Sequence, residues 1–187
     1  IAPGHPNRDD LPSRELPFTR ELYIDRNDFN EDTTLSRKKF KRLVIGEYVR
    51  LRSGYVIRAD EVLKDATGEI IELICSYIPG TVGQDPPEGV RPRGVIHWVS
   101  ATNSVDCDLY CYEKLFTVAA PDAGEESFID HLNPDSLQII KQCKAELGLA
   151  GAEVGQHFQF EREGYYAVDA KHSSPGNLVF NRTIALR

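Results

Sequence analysis

The sequence contains no methionine, only four cysteines and no long apolar run. The cysteines form no Cys-x-x-Cys pair and have no histidines at zinc-site spacing, so we expect buried, reduced thiols, as in a cytoplasmic protein. No stretch approaches the roughly 18–20 apolar residues that a membrane helix needs, and the first residues lack the pattern of a signal peptide. These shortages predict a cytoplasmic protein that contacts no membrane.

The common signatures of catalysis are also missing. The chain has no Gly-x-x-x-x-Gly-Lys loop, no nucleophile elbow and no His-Glu-x-x-His motif. His97 stands beside Trp98 in an apolar run, which favours a core position over a ligand position. We therefore predict no catalytic residue, no metal site and no cofactor held by these residues. The chain opens at Ile1 and ends on the apolar run 184–187, which we interpret as signs of a piece of a longer protein.

What the chain does contain is a series of short β-rich segments separated by Gly and Pro turns. Strands are expected over residues 94–100, 105–112 and 157–162, and on both sides of a turn at 65–68. Residues 135–147 suit a helix or a strand, and the pair of isoleucines at their centre favours the strand. The chain is predicted to be all-β and mostly antiparallel, with short helices such as one within 125–132, and to form a barrel or a pair of barrels.

One stretch carries a charge opposite to that of the rest of the chain. Residues 37–58, which we call the basic strip, hold eight of the 22 Lys and Arg residues and a single acid, Glu47, so the strip carries +7. The whole chain carries −7, which leaves −14 for everything outside the strip. Such a strip predicts that one surface binds a polyanion while the remainder repels one.

Within the basic strip, residues 49–52 alternate valine, arginine, leucine and arginine. On a strand this places Arg50 and Arg52 on one face and the aliphatic side chains on the other. With Arg42 on the preceding strand, they supply the guanidinium groups that bind base edges or phosphates in a bidentate way. Rings that can stack on bases lie between the charges, at Phe40, Tyr48 and Tyr55. The alternative is a solvated edge strand that Lys and Arg keep soluble.

A second candidate region is residues 158–165, Phe-Gln-Phe-Glu-Arg-Glu-Gly-Tyr. On a strand, Arg162 shares a face with the two phenylalanines, where it is either a snorkelling cation or one placed for binding. Gln159 would then meet Arg162 across a twist or bulge near Gly164. The pattern by itself leaves a structural and a binding role equally open.

Seven stretches of the chain form a specific set when they are taken together. They begin at Asp25 (Asp-Arg-Asn-Asp-Phe), Phe40 (Phe-Lys-Arg-Leu), Val49 (Val-Arg-Leu-Arg), Gly94 (Gly-Val-Ile-His-Trp-Val-Ser-Ala), Asn133 (Asn-Pro-Asp-Ser-Leu), Phe158 (the run given above) and Phe180 (Phe-Asn-Arg-Thr). In order and spacing they resemble the C-terminal half of the bacterial glutaminyl-tRNA synthetase family. The resemblance extends from about residue 5 to residue 187, which is nearly the whole chain.

This resemblance implies the anticodon-binding part of a class I synthetase, built as two β-barrels. The distal barrel would span residues 39–114, and the proximal barrel would combine residues 1–38 with 115–187. The parent enzyme would join glutamine to its tRNA with ATP and Mg²⁺, in a catalytic domain of the same chain that these residues do not include. These residues would meet the anticodon loop of glutamine tRNA, bind neither ATP nor Mg²⁺, and belong to a monomer.

The resemblance also implies roles for individual residues. Residues that match Arg42, Arg50 and Arg52 contact the first and third anticodon bases, and those that match Gln159 and Arg162 contact the middle uridine. Asn7 matches a polar position near the anticodon loop. Phosphate contacts are expected from Lys38, Lys39 and Lys41. The chain is longer than the family pattern over residues 30–39, and Lys39 stands where a glutamine is familiar.

Three alternatives remain open from the sequence. A glutamyl-tRNA synthetase would have the same two-barrel C-terminal region. A ribosomal-type RNA-binding β-barrel protein would account for residues 39–114 with one barrel alone. A protein–protein module would need no more than the acidic surface.

Overall fold

Short apolar segments between frequent Gly and Pro residues leave little room for helices in this chain. The computed structural model describes residues 1–5, 7, 8 and 10–186. Along this described part, helices are limited to three 3-10 turns, Arg26–Asp28, Phe128–His131 and Leu147–Leu149, and the other regular structure is β. The predicted all-β class with short helices is confirmed. The chain divides into two units, Ile1–Asn103 and Ser104–Arg187.

The described residues of the first unit form eight strands. In chain order they are β1 (Leu22–Tyr23), β2 (Phe29–Asn30), β3 (Leu43–Val44), β4 (Tyr48–Leu51), β5 (Val56–Lys64), β6 (Ile70–Ile78), β7 (Val95–Ile96) and β8 (Val99–Ser100). Four of them form a sheet in the order β6-β5-β4-β7, and β1-β8 and β2-β3 form two short sheets. The β5–β6 hairpin has its turn where predicted, because Asp65 Oδ1 accepts the backbone N–H groups of Thr67 and Glu69.

The core of the first unit explains the alternation in the basic strip. Val49 and Leu51 on β4 are completely buried, while Tyr48 and Arg50 on the other face are half-buried. Burying an aliphatic side chain of this size contributes about 1.5–3 kcal/mol. The register of β4 is therefore fixed by its aliphatic face, which turns Arg50 away from the core.

The predicted continuous strand over residues 94–100 is wrong. The run contains two separate strands, because β7 pairs with β4 in parallel and β8 pairs with β1 antiparallel. Between them the chain leaves one sheet and joins another, and Trp98 enters the core of the first unit with only 4% of its surface exposed. The predicted core position of the His97-Trp98 pair is confirmed for Trp98, while His97 is only half-buried.

The second unit is one five-stranded sheet in the order β10-β9-β13-β12-β11. Its strands are β9 (Ser104–Tyr112), β10 (Leu137–Glu146), β11 (His157–Phe160), β12 (Gly164–Val168) and β13 (Leu178–Ala185). Every second residue of β9 enters the core, at Cys107, Leu109 and Cys111, as its alternation predicts. The segment 135–147 forms β10, so the preference for a strand over a helix is confirmed.

Strand pairings in both units are mostly antiparallel, and the described residues form no closed ring of paired strands. The predicted division into residues 39–114 and residues 1–38 plus 115–187 stays a prediction. None of the helices that the structure describes has the length and apolar character needed to cross a membrane.

Candidate nucleic-acid interface

The basic strip begins in a tight turn that presents its lysines. The backbone N–H groups of Lys39 and Phe40 both donate to the carbonyl oxygen of Ser36 at 3.0 Å, which closes the chain on itself. We call residues 35–41 the lysine turn. Lys38, Lys39 and Lys41 are exposed there, and they form no ion pair within the described part of the chain. Three unpaired ammonium groups on one short segment are suited to phosphate contact.

Arg42 is held by a buried acid. Its Nε lies 3.2 Å from Oδ1 of Asp28, a carboxylate with 1% of its side chain exposed, and its Nη1 donates to the Asn27 carbonyl oxygen at 2.9 Å. Asp28 belongs to the 3-10 turn before β2, so this turn orients the side chain of the residue just before β3. Arg42 is therefore preorganised, and part of its charge is already balanced.

Arg50 is held by a loop instead of by an acid. Its guanidinium donates to the carbonyl oxygens of Thr81 and, at 2.8 Å, Gln84. Thr81 is itself buried. Its hydroxyl accepts a hydrogen bond from the Val56 N–H and donates one to the Ile78 carbonyl oxygen. The Pro- and Gly-rich loop after β6 is thus fastened to the strip through Arg50.

An open cleft of about 290 Å³ lies beside Arg50. It is lined by Arg50, Ser53, Gly54, Gly83, Gln84 and Asp85. This volume is at the lower end of the range for small-ligand sites, roughly 300–1,000 Å³. The cleft combines a cation, a carboxylate and an amide, which are the groups that can pair with the polar edge of a base.

Arg52 lies just past the end of β4, in the turn to β5, and its side chain is exposed. The next residue, Ser53, has a left-handed backbone with φ of 54°. The turn is fixed from the core side, because Trp98 Nε1 donates to the Arg52 carbonyl oxygen at 3.0 Å. Arg50 and Arg52 thus follow the predicted alternation, but Arg52 is presented by a supported turn and not by the strand.

Two of the three aromatic rings predicted as stacking faces, those of Tyr48 and Tyr55, lie against neighbouring side chains. The guanidinium of Arg58 lies 5.9 Å from the centre of the Tyr48 ring. Tyr55 packs against Phe18 and Tyr77, with ring centres 4.8 Å and 5.1 Å apart. Both rings are half-buried and already have partners in the first unit, which sequence periodicity could not reveal.

Arg93 is a supporting residue that the sequence did not single out. Its side chain is 2% exposed and lies 3.7 Å from Glu47, which also pairs with Arg37. Its other nitrogens donate to the carbonyl oxygens of Leu35 and Phe40. Arg93 lies in an irregular loop between Pro92 and Gly94, where the sequence has no strand-like or helix-like periodicity that could have predicted its burial.

In the second unit, Gln159 and Arg162 lie at the β11–β12 hairpin. Gln159 is exposed on β11, opposite the face on which Phe158 and Phe160 pack against the core. Arg162 does not continue the strand, because β11 ends at Phe160 and Arg162 takes a left-handed conformation with φ of 69° in the turn. Such a backbone is uncommon for a bulky side chain and is often found at binding sites.

A buried carboxylate, Asp169, joins the second strand of this hairpin to β13. Burial alone would raise the pKa of Asp169, but hydrogen bonds from Asn181, from the backbone of His172 and Lys171, and from the His172 ring lower it to about 2. Asp169 therefore stays ionised and ties the end of β12 to β13. It is structural support for the sheet that carries Gln159.

Asn7 lies exposed in the N-terminal lead-in, where its backbone N–H donates to His5 Nδ1 at 3.1 Å. Its link to the rest of the candidate interface stays a prediction. No group of three or more His, Cys, Asp or Glu side chains is arranged to hold a metal ion in the portion of the chain that is described.

Comparison with known proteins points to one family along most of the chain. Two family models match, over residues 1–78 and 95–169, and both describe the anticodon-binding domain of the class I tRNA synthetases of the E and Q type.

Curated relatives match over the full length of this chain. Glutamine–tRNA ligases of Pseudomonas syringae pv. tomato and Pseudomonas putida are 52% and 53% identical over 187 residues, which are 99% of this chain and 32% of each relative. The glutamine–tRNA ligase of Haemophilus influenzae is 52% identical over 186 residues, again 32% of its length. The chain thus spans about a third of the length of the curated relatives it matches.

Proposed function

Since the chain belongs to the anticodon-binding domains of the class I tRNA synthetases of the E and Q type, we propose that it reads the anticodon loop of glutamine tRNA. The observation that carries this proposal is that the basic strip contains two kinds of cation: arginines held by protein groups and lysines that are exposed. Arg42 and Arg50 are held by protein partners, while Lys38, Lys39 and Lys41 are exposed and form no ion pair with the residues that the structure describes. The first set suits recognition of defined edges, and the second suits affinity for phosphates.

In this proposal the arginines of the basic strip and the cleft beside Arg50 recognise the bases. A base splayed out of the anticodon loop exposes its Watson–Crick edge, and a guanidinium can satisfy two acceptors on that edge at once. Arg50 lines the cleft and Arg52 lies in the turn that borders it, so we assign them, with Arg42, to the first and third anticodon bases. Gln159 and Arg162 are assigned to the middle uridine, and Asn7 to the edge of the loop.

Affinity comes from the lysine turn. Lys38, Lys39 and Lys41 would contact phosphates and release bound counterions, which adds affinity that does not depend on sequence and that weakens with salt. The remaining −14 of charge discourages RNA from binding elsewhere on the chain. Base discrimination and phosphate affinity are thereby carried by different residues of the basic strip.

The whole protein is proposed to be a cytoplasmic, monomeric glutamine–tRNA ligase. Its catalytic domain, in the same chain, would use ATP and Mg²⁺ to join glutamine to the tRNA. The present residues would supply tRNA selection and binding energy for that reaction and would hold neither ATP nor the metal.

The test is Arg52→Ala in the full-length ligase. Loss of one bidentate base contact costs about 1–3 kcal/mol, so we expect KM for glutamine tRNA to rise ~5–150-fold while KM for glutamine and for ATP stays unchanged. The matched control is Lys64→Ala, which removes one exposed positive charge at the far end of β5. Equal tRNA kinetics in Arg52→Ala and wild type would remove Arg52 from the interface.

A glutamate-specific synthetase is an alternative, because the matching family description covers both the E and the Q enzymes. Charging assays of the full-length enzyme with both amino acids separate the two. A ribosomal-type RNA-binding barrel is tested by gel shifts that compare an anticodon stem-loop with ribosomal RNA fragments. Loss of the stem-loop preference in Arg162→Ala would argue against that alternative.

A further inference from the structure

Arg93 carries a buried charge that base reading and phosphate binding do not use. It lies in the loop between β6 and β7, and only 2% of its side chain is exposed. A guanidinium loses its hydration when it is buried, so it is tolerated only where protein groups replace the water. The identity of those groups indicates what the residue does.

The groups that replace this water lie at both ends of the lysine turn. Arg93 Nη2 donates to the Leu35 carbonyl oxygen at 2.6 Å, and Nε donates to that of Phe40 at 3.2 Å. Its Nη1 faces Glu47 Oε1 at 3.7 Å. Because the guanidinium is rigid and planar, one side chain fixes the distance between the two ends of the turn.

Two further contacts join the same loop to the same turn. Arg37 Nη1 donates to the Arg91 carbonyl oxygen at 2.6 Å. Gly94 approaches the Lys41 backbone so closely that a Cβ atom at position 94 would lie 2.1 Å from the Lys41 carbonyl oxygen. Residues 91–94 therefore form a clamp along the lysine turn, with Arg93 at its centre.

We propose that Arg93 is a positioning residue, which holds Lys38, Lys39 and Lys41 as one array for the phosphates of the bound RNA. It acts through the lysines, because its own guanidinium is buried and occupied. The inference rests on the proposed function, and it extends the interface to a residue that makes no contact with RNA.

The test compares Arg93→Met with a triple variant in which Lys38, Lys39 and Lys41 become glutamine. Binding of an anticodon stem-loop is measured by fluorescence anisotropy from 0.05 to 0.5 M salt. Each phosphate contact contributes about 0.7 to the slope of log Kd against log salt, so both variants should lower the slope by up to about 2. Affinity near 0.1 M salt should fall by ~10–100-fold in both.

The combined variant separates positioning from a general structural effect. If Arg93 acts through the lysines, adding Arg93→Met to the triple variant should weaken binding no further. Arg93→Lys keeps the charge but lacks the rigid planar fork whose separate nitrogens reach the Leu35 and Phe40 carbonyl oxygens, so it should give an intermediate slope. Arg182→Met, which removes an arginine paired with Glu113 in the second unit, is the charge-matched control and should keep the wild-type slope.

Amide hydrogen exchange of the free chain provides a readout that needs no RNA. Exchange over residues 36–41 should speed up in Arg93→Met and Arg93→Lys, while β5 keeps its protection. If folded Arg93 variants keep the wild-type salt slope, stem-loop affinity and amide exchange, the inference about Arg93 is overturned while the proposed function is not. Absence of stem-loop binding by the wild-type chain would instead count against the proposed function, and the exchange data would still report on the clamp.

Discussion

At the scale of single residues, the arginines of the basic strip differ in what they do before any RNA binds. Arg42 neutralises Asp28, a carboxylate with 1% of its side chain exposed, whereas the Arg52 side chain is exposed at a hairpin turn. Alternation and spacing predicted that both contact nucleic acid, and the family resemblance implied that both read bases. The sequence could not predict the Asp28 contact, because a 3-10 turn 14 residues earlier supplies the acid.

This difference predicts separable effects on stability. Arg42→Ala leaves Asp28 buried with less compensation, so we expect a loss of about 1–3 kcal/mol in the free energy of unfolding. Arg52→Ala should stay within about 0.5 kcal/mol of wild type. Urea unfolding followed by circular dichroism measures both values.

A double variant shows whether the stability loss in Arg42→Ala is caused by the unpaired charge of Asp28. Asp28→Asn combined with Arg42→Ala should recover part of the lost stability, with a coupling energy of about 0.5–3 kcal/mol. Stem-loop binding should stay weak, because the guanidinium is still missing. Full additivity of the two stability losses would contradict the structural role given to this ion pair.

At the scale of strands and loops, local patterns were predicted well and the choice of sheet was not. The β5–β6 hairpin and the alternation of β9 follow from turn residues and period-two burial, which are local signals. Residues 94–100 were predicted as one strand, yet they divide between two sheets. An apolar run predicts that its residues are buried, but it does not predict which strands they pair with.

The junction at the start of that run yields a prediction about Gly94. A methyl group there would collide with the Lys41 carbonyl oxygen, and the Gly94 carbonyl oxygen accepts the Arg50 N–H at 2.9 Å. Gly94→Ala should therefore lower the free energy of unfolding by about 1–3 kcal/mol, as overpacking does, and should weaken stem-loop binding.

Gly148→Ala is the matched control for this change. A Cβ atom at position 148 meets no atom within 4 Å, and its backbone is not in the left-handed region. Its unfolding midpoint and its stem-loop affinity should both stay at wild-type values. Equal behaviour of the two alanine variants would show that the lysine turn has room to move away from position 94.

At the scale of the whole molecule, each unit supports its own part of the proposed interface with its own core. Val49, Leu51 and Trp98 support the turn that carries Arg52, and Tyr166 and Phe180 lie in the core beneath the strand that carries Gln159. Short β-rich runs between Gly and Pro turns predicted the class of fold, and the charge of the basic strip predicted a polyanionic ligand. These patterns could not predict that Arg93 supports the fold, because its partners Leu35, Phe40 and Glu47 are distant in sequence. They also could not predict that Asp169 is buried and ionised, because this depends on hydrogen bonds that burial patterns do not describe.

Two separately supported reading sites predict additive losses of affinity. Arg52→Ala and Arg162→Ala alter exposed or turn positions in different units, so neither change should disturb the backbone that presents the other. If the two arginines contact different anticodon bases, the free-energy losses in stem-loop binding should sum within about 0.3–0.5 kcal/mol in the double variant. Titrations of wild type, both single variants and the double variant at one fixed salt concentration measure this sum. A double variant that binds no worse than Arg162→Ala would mean that both arginines serve a single contact, because the second loss would already be contained in the first.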